Sequence, residues 1–283
     1  MQISRTPHIC VFTLAFDPFV GGAEIAVDEV TKRVHDQYQC TILTARFSWR
    51  LPRVETRRSV TIRRLGIGWR SVDKFFFPFV AWWAAVRLHW REPLTCTWAI
   101  MANRAGLAAL FFRWTHRDIP YVLTLQEGDS EDYIQRRARW IGPLYGAMFR
   151  AATQITAISQ YLGSWPARYR ARAPVTIIPN GVAIDRFSAM LAQKTRAEIR
   201  QTMGVGEHDC VLMTASRLVD KNGIDILLEA TARIPNTRTW ILGDGPLMDQ
   251  LHAYARTRGI TDRVTFFGTQ SQENVMRHLK ATD

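Results

Sequence analysis

Residues 211–246, VLMTASRLVDKNGIDILLEATARIPNTRTWILGDGP, are the stretch whose reading decides the fold. Val211 to Ala215 is a short apolar run and reads as a buried strand. Arg217 and Lys221 follow in a loop that Asn222-Gly223 turns. Ile224, Leu227, Leu228, Ala230 and Ile234 then recur at helical spacing. Thr239 to Leu242 reads as a second strand and ends in Gly243-Asp244-Gly245. This is a βαβ unit, because parallel neighbours need a crossover of this kind. Ligands of open α/β sheets sit beyond the carboxyl ends of the strands. The Arg217/Lys221 loop and the glycine turn both lie there. Two cations, a helix N-terminus and a glycine turn suit a diphosphate. An ordinary βαβ unit carrying two solvated cations is the alternative this stretch leaves open.

The 283 residues suffice for one large or two ordinary domains, and the 47% hydrophobic content supports a real core. Cys10, Cys40, Cys96 and Cys210 are far apart and sit mostly in apolar runs. They read as buried free thiols of a reducing compartment, not as a disulfide or zinc framework. HICVFTLAF reads as a first strand and not as a secretory leader. No apolar run reaches the ~18–20 residues that span a bilayer. The expected location is cytoplasmic, including the inner face of the plasma membrane. The seven histidines are scattered and form no metal constellation with cysteine.

Moving outward from the quoted stretch, the same βα rhythm recurs on both sides. Ile9 to Leu14 is strand one, and Gly21-Gly22 turns into a helix over Ala23 to Val34. Ile25, Ala26, Val30 and Val34 are expected to face the sheet. Two glycines at a strand-to-helix turn allow close approach to a ligand, and a plain tight turn serves as well. The pattern is not GxGxxG, which disfavours a nicotinamide enzyme. Further strands are expected at Cys40 to Thr44, Val60 to Arg64, Thr95 to Ile100, Pro120 to Leu125, Gln154 to Ile158 and Val175 to Ile178. Gln126-Glu127-Gly128-Asp129 sits at a strand's carboxyl end, where polar groups are placed for a site. Asp129, Glu131 and Asp132 are acids that could bind a metal but more simply start the next helix, over 131–151, which carries Arg136, Arg137 and Arg139. Ser159 caps the next helix, since no histidine or acid accompanies it as a nucleophile would need. A polar, turn-rich passage, Asn180 to Lys194, separates two domains, 1–186 and 187–283. The second holds a helix over Thr195 to Met203, the quoted βαβ unit, a helix over Leu247 to Arg258, a strand over Val264 to Phe267 and a last helix over Gln272 to Leu279. Three strands leave two open edges, so this domain reads as incomplete.

The net charge of +12 is local. Residues 187–283 hold 12 Lys/Arg against 11 Asp/Glu, whereas residues 46–91 alone hold 11 basic and 2 acidic side chains. That basic stretch flanks FFFPFVAWW at 75–83. An anionic membrane surface engaged through residues 57–91 is one reading, with aromatics in the interface and cations on headgroups. A core helix with solvated arginines around it is the other. Nucleic acid is set aside, because no recognition motif accompanies the charge.

Six passages together carry a resemblance: GGAEIAVDE at 21–29, TAISQYL at 156–162, IIPNGVAIDRF at 178–187, ASRLVDKNGIDILLEA at 215–230, ILGDGP at 241–246 and VTFFG at 264–268. In this order and spacing the chain resembles a retaining glycosyltransferase of the GT-B type, family 4. That group includes bacterial mannosyltransferases and lipopolysaccharide or polysaccharide glycosyltransferases. The resemblance implies two Rossmann-like doubly wound parallel-sheet domains. The first would bind a glycan or lipid-linked acceptor and the second a UDP- or GDP-linked sugar. Arg217 matches the family's diphosphate-binding arginine. Gly243, Asp244 and Gly245 match the turn beside the nucleotide, and Phe267-Gly268 the strand end near the base. Gly21 and Gly22 match the loop facing the diphosphate, and Gln126 and Glu127 stand at the acceptor position. The implied activity is glycosyl transfer with retention at the anomeric carbon, in cell-surface glycan synthesis, with the nucleotide-sugar as substrate and no resident cofactor or metal.

Four departures accompany the match. Gln126 stands where the family often has histidine, and an amide cannot act as a general base. Ala183 replaces an aspartate. Asn222 occupies the place of the family's phosphate-binding lysine, with Lys221 one residue earlier. The family's paired glutamates, which in family order lie beyond residue 283, are absent. The expectation is therefore a C-terminally truncated chain lacking part of its donor pocket. The competing class is a non-catalytic remnant that binds a membrane or a partner.

Overall fold

A computed structural model describes residues 6–19, 21–129, 131–184, 196–206 and 208–283, with the side chains at 131, 137, 138 and 140 outside the description. The side chains of Glu131 and Arg137, and residues 185–194 of the passage from Asn180 to Lys194, therefore fall outside the described residues. The chain divides into two compact units, Met1–Gly181 and Val182–Asp283.

Unit one is built on an eight-stranded sheet. Its strands are β1 (His8–Phe12), β2 (Gln39–Ala45), β3 (Val54–Arg57), β4 (Val60–Leu65), β5 (Cys96–Ile100), β6 (Tyr121–Leu125), β7 (Gln154–Ala157) and β8 (Val175–Ile177). They lie in the order β3-β4-β2-β1-β5-β6-β7-β8. All pairs are parallel except β3 with β4. The chain builds outward from β1 in one direction and then, from β5, in the other. The gap between the carboxyl ends of β1 and β5 is thus the topological switch point, where ligands of such sheets bind.

The central strands are apolar on both faces because helices cover both. Successive residues point to opposite sides. Phe12 and Leu43 accordingly join one buried cluster with Phe77, Ala81 and Phe149, while Val11 and Ile42 join another with Ala23 and Val27. The covering helices are α1 (Gly22–Arg33), α2 (Arg70–Arg91), α3 (Arg104–Thr115), α4 (Glu131–Ala138), α5 (Pro143–Ala151) and α6 (Gln160–Arg168). Ser159 caps α6 as expected, its Oγ accepting the Leu162 N–H at 3.3 Å.

Unit two has α7 (Arg196–Thr202), β9 (Cys210–Ala215), α8 (Ile224–Arg233), β10 (Thr237–Leu242), α9 (Met248–Thr257), β11 (Val264–Gly268) and α10 (Gln272–Lys280). The parallel sheet runs β11-β10-β9. Leu218, Ile224, Leu228, Ile241 and Leu251 form the core on one face of it. Trp240 and Leu242 join Ile199 and Ala281 in the core on the other.

The structure corrects several expectations. The buried stripe of α1 is Ala23, Val27 and Thr31, not Ile25, Ala26 and Val30, of which Val30 is 44% exposed, while Val34 packs against the core as expected. Thr31 tolerates the interior because its hydroxyl donates to the Val27 carbonyl at 2.8 Å. Similarly, α8 buries Ile224, Leu228 and Thr231, while Ile234 caps its end half-exposed. The single helix expected over 131–151 is broken at Gly142, whose φ of +45° no helix allows, and Pro143 opens α5. β3 was not expected. It is a polar edge strand in an antiparallel hairpin, so it carries no apolar alternation to read. Cys10 and Cys40 are buried, but Cys96 is half-buried and Cys210 lies exposed where β9 begins. Burial pushes the Cys40 thiol up to about 11.

For the aromatic stretch the core-helix reading holds for one face only. Phe77, Ala81, Ala85 and Leu88 are buried, whereas Phe75, Phe76, Phe79 and Trp83 are exposed. No helix of the described residues is long and apolar enough to cross a membrane. Neighbouring phenylalanines therefore differ in role. Phe77→Ala is expected to cost about 3–5 kcal/mol and Phe76→Ala within about 0.5 kcal/mol, read from chemical denaturation midpoints.

Candidate functional site

In unit two the carboxyl ends of the three strands lie side by side, with Ala215 level with Leu242 and Leu242 level with Gly268. The chain leaving β9 is stitched to the chain leaving β10 by backbone hydrogen bonds. The Leu218 N–H donates to the Asp244 carbonyl at 3.1 Å, and the Leu247 N–H donates to the Leu218 carbonyl at 3.3 Å. The Gly243 N–H donates to the Gly268 carbonyl at 2.7 Å, which ties in β11. Leu218 itself is fully buried in the core. The two glycines of the turn are needed for this approach. Gly243 has φ +143°, and a Cβ there would stand 1.9 Å from the Ser216 carbonyl oxygen. A Cβ on Gly245 would stand 2.3 Å from the Leu218 carbonyl oxygen.

This anchoring places Arg217 on the surface, one residue before the buried Leu218. The Asn222 side-chain amide donates to the Arg217 carbonyl at 2.6 Å and closes the loop. Asp220–Asn222 forms one 3-10 turn, and Lys221 on it is exposed. Gly223, in the left-handed region at φ +61°, then turns the chain into α8. No side chain caps α8, so its first-turn N–H groups face outward beside the cationic loop. The Asp244 carboxylate accepts the Gly245 N–H at 2.6 Å and so stiffens the turn. Phe267 packs away from the loops, its ring 4.5 Å from that of His278 and 6.1 Å from that of Trp240. Arg217, Lys221, Gly243, Asp244, Gly245 and Gly268 thus belong to one connected loop system.

In unit one the remaining candidates follow β1 and β6, next to the switch point. Gly21 is the N-cap of α1 and Gly22 its first residue, so the pair is not an open loop. The Gly21 N–H is already taken, donating to Glu24 Oε2 at 2.8 Å, and φ of −132° is ordinary extended backbone. Gly22 is different, because a Cβ there would meet nothing. Gln126 is half-buried, and its Oε1 is enclosed with no hydrogen-bond partner among the described residues. Glu127 turns inward. Its Oε1 accepts the Ala102 N–H at 2.6 Å, which ties the end of β6 to the loop after β5, and its Oε2 is enclosed with no hydrogen-bond partner among the described residues. Burial pushes this carboxyl up to about 7, against backbone N–H groups of Ala102, Glu127 and Gln126 that pull it down.

Sequence reasoning missed the residues that hold these loops. Leu218 is an apolar residue between two loop cations, and that mismatch was the available signal. Asn222 counts in the sequence only as a lysine lost, whereas in the fold its amide closes the Arg217 loop. Ala102 acts through its backbone and leaves no signal in side-chain chemistry.

Each unit is thus an α/β body, doubly wound in unit one, with polar loops at the carboxyl ends of its parallel strands. The class these features define is that of two-unit α/β proteins with Rossmann-like sheets. The family model of Glycosyltransferase Family 4 matches residues 20–186, and that of glycosyl transferases group 1 matches residues 195–283. The chain belongs to Glycosyltransferase Family 4. Among curated relatives it is 31% identical over 136 residues to the GDP-mannose-dependent alpha-(1-6)-phosphatidylinositol monomannoside mannosyltransferase of Mycolicibacterium smegmatis, a match covering 46% of this chain and 35% of that protein. It is 43% identical over 60 residues to the lipopolysaccharide core biosynthesis glycosyltransferase LpsE of Rhizobium meliloti, covering 21% of this chain and 18% of LpsE. These matches span about a third or less of the relatives' lengths. Among solved structures, the sucrose-phosphate synthase of Thermosynechococcus elongatus superposes with TM-score 0.79 at 16% identity, covering 98% of this chain and 74% of that one. Anabaena Alr3699/HepE in complex with UDP-glucose gives TM-score 0.71 at 19% identity, covering 98% and 72%. At such identities these likenesses establish the GT-B fold.

Two outcomes test the geometry. Gly243→Ala should destabilise the chain by about 2 kcal/mol or more, because a left-handed position and a backbone contact are both violated. Thermal unfolding reads it, and a variant as stable as the parent would contradict the close approach. Glu127 titrates near 7 in the fold against an ordinary value of 4.5. The stability this group contributes is complete below about pH 4 and is lost as pH rises through 7. Between pH 5 and pH 8 the parent should therefore lose about 2–3 kcal/mol relative to Glu127→Gln. Denaturation curves at the two pH values check this, and a parallel decline of both proteins would refute it.

Proposed function

We propose that the loop system of unit two binds the diphosphate of a nucleotide-sugar, UDP- or GDP-linked, and that the protein is a retaining glycosyltransferase. The observation that carries this reading is the backbone stitch from Leu218 to Asp244. It holds an exposed Arg217 and the uncapped start of α8 on one rim at the strand ends. A guanidinium forks onto phosphate oxygens, and first-turn N–H groups add the positive end of the helix dipole. The structural neighbour from Anabaena, crystallised with UDP-glucose, supports the same class of ligand.

In the reaction the bond between the anomeric carbon and the diphosphate oxygen breaks. The acceptor hydroxyl oxygen bonds to that carbon on the same face. The proton of that hydroxyl passes to the leaving diphosphate, so no side-chain base is required and Gln126 is acceptable at its position. Arg217, Lys221 and the N–H groups of α8 take up the negative charge that develops on the leaving group. The reading invokes no resident cofactor or metal ion. Gly22, open on its helix-facing side, and Gln126, with its enclosed carbonyl, serve the acceptor-domain side, Glu127 holding the loop after β5 in place. The acceptor is a glycan or a lipid-linked sugar of cell-surface synthesis. The curated relatives named for phosphatidylinositol monomannoside and for lipopolysaccharide core support that class.

Calorimetric titration with a panel of UDP- and GDP-sugars tests this. One donor should bind, and Arg217→Ala should weaken it about 10- to 100-fold, the loss of a charge-assisted hydrogen bond. A folded chain that binds no donor, or an Arg217→Ala variant that binds as the parent does, overturns the assignment.

A further inference from the structure

α2 is 22 residues long, or about 33 Å at 1.5 Å per residue. Its buried stripe packs in the core of unit one. The opposite stripe carries Phe76 at 51% exposure, Phe79 at 55%, Trp83 at 58% and Trp90 at 78%. Phe79 stacks on Phe111 of α3 at 5.6 Å, and Phe111 meets Trp114, itself 48% exposed, so the aromatic surface extends onto a second helix. Toward the carboxyl end of α2 a cavity of about 370 Å³ opens between Trp82, Trp83, Val86, Arg87, Trp90 and Arg91. Arg87 lies over the Trp83 ring at 5.3 Å.

The charge on this helix has one sign at the surface. Arg70, Lys74, Arg87 and Arg91 are its cations. Its one acid, Asp73, is buried and accepts the N–H groups of Ile67 and Gly68, each at 2.8 Å. The arginines upstream divide differently from what the sequence suggested. Arg57 is paired to Asp17 and Glu55, and the buried Arg64 is paired to Glu55 at 2.9 Å and donates to the Asp17 carbonyl at 2.8 Å. Those two belong to the fold, which narrows the basic-aromatic surface from residues 57–91 to α2 and α3.

We propose that this face docks on an anionic phospholipid bilayer, with α2 lying in the plane of the interface. Large rings fixed on a rigid helix and exposed to water mark an interaction surface. Tryptophan favours the headgroup boundary, and arginine snorkels from it to phosphate. The helix lies on the surface because its far side is committed to the protein core. Arg87 and Arg91, which line the cavity beside Trp83 and Trp90, complement anionic headgroups. They disfavour a second copy, since a two-fold contact would bring like charges together. The proposal does not rest on the donor-site reading, and its test uses no sugar.

The full chain is centrifuged with vesicles of phosphatidylcholine alone and with a third of phosphatidylglycerol. Binding should be about tenfold or more stronger to the anionic vesicles and should fall severalfold as salt is raised past physiological strength. Lipids brominated on the acyl chain should quench tryptophan emission. The variant Trp83→Ser/Trp90→Ser should lose about tenfold or more in binding and most of the quenching, with its unfolding midpoint unchanged because both rings are exposed. Arg87→Gln/Arg91→Gln should lose the preference for anionic lipid and keep its fold. Ile226→Ser, another exposed apolar residue, should bind as the parent does. Equal binding to both vesicles overturns the proposal, and so does a Trp83→Ser/Trp90→Ser variant that binds normally. Self-association of the lipid-free chain, abolished by the same double substitution, would instead assign the face to a second copy.

Discussion

The contact on which the candidate site depends is between two backbones. Leu218 gives its N–H to Asp244 and takes that of Leu247, while its side chain fills the core beneath. A loop that would otherwise be a solvated excursion becomes part of the folded body at one residue. The cations on it are thereby held by the same packing that holds the sheet, and holding charge in advance is what makes it useful to a bound diphosphate. The cost is steric. Two chains this close leave no room for a Cβ, and Gly243 and Gly245 are the residues that permit it.

Unit one uses the opposite device. There a side chain, the Glu127 carboxylate, reaches a backbone N–H beside the switch point and joins the loops after β5 and β6. Its enclosure raises its proton affinity toward neutrality, so the junction carries a negative charge only when the pH allows. Gln126 beside it offers a neutral carbonyl to the same region. The polar ends of this sheet are thus organised by Gln126 and a carboxyl that titrates toward neutrality, whereas the rim of unit two sets the Arg217 and Lys221 cations among Asp220, Asp225 and Asp244.

α2 shows how one amphipathic pattern supports two surfaces. Phe77 and its stripe are required by the core, and Phe76, Phe79, Trp83 and Trp90 are not. Composition alone counts them together as aromatics. The same holds for the arginines: Arg57 of β3 and Arg64 of β4 pair with Asp17 and Glu55, whereas Arg87 and Arg91 of α2 stand with the exposed rings.

How much was legible from the residues follows from the range of the physics involved. Strand and helix positions were readable because the periods of 2 and 3.6 are local, and the βαβ order sufficed for parallel doubly wound sheets. Ser159 could be placed as a cap because a cap acts within one turn. The family followed from six short passages, and Arg217 with the glycine turn from their place at strand ends. Which face of α1 is buried and the exposure of Cys210 were not readable, since each depends on neighbours distant in the chain, and β3 was not, because an edge strand this polar carries no alternation; the break at Gly142-Pro143 was a local signal that went unread. The sequence by itself determined the elements, their order and the chemistry available at their ends. Only the tertiary structure decided which arginines are spent on ion pairs, which rings face water, and that Leu218, Asn222 and Ala102 hold the loops. Those outcomes turn on backbone contacts and burial between residues far apart in sequence, which no local pattern encodes.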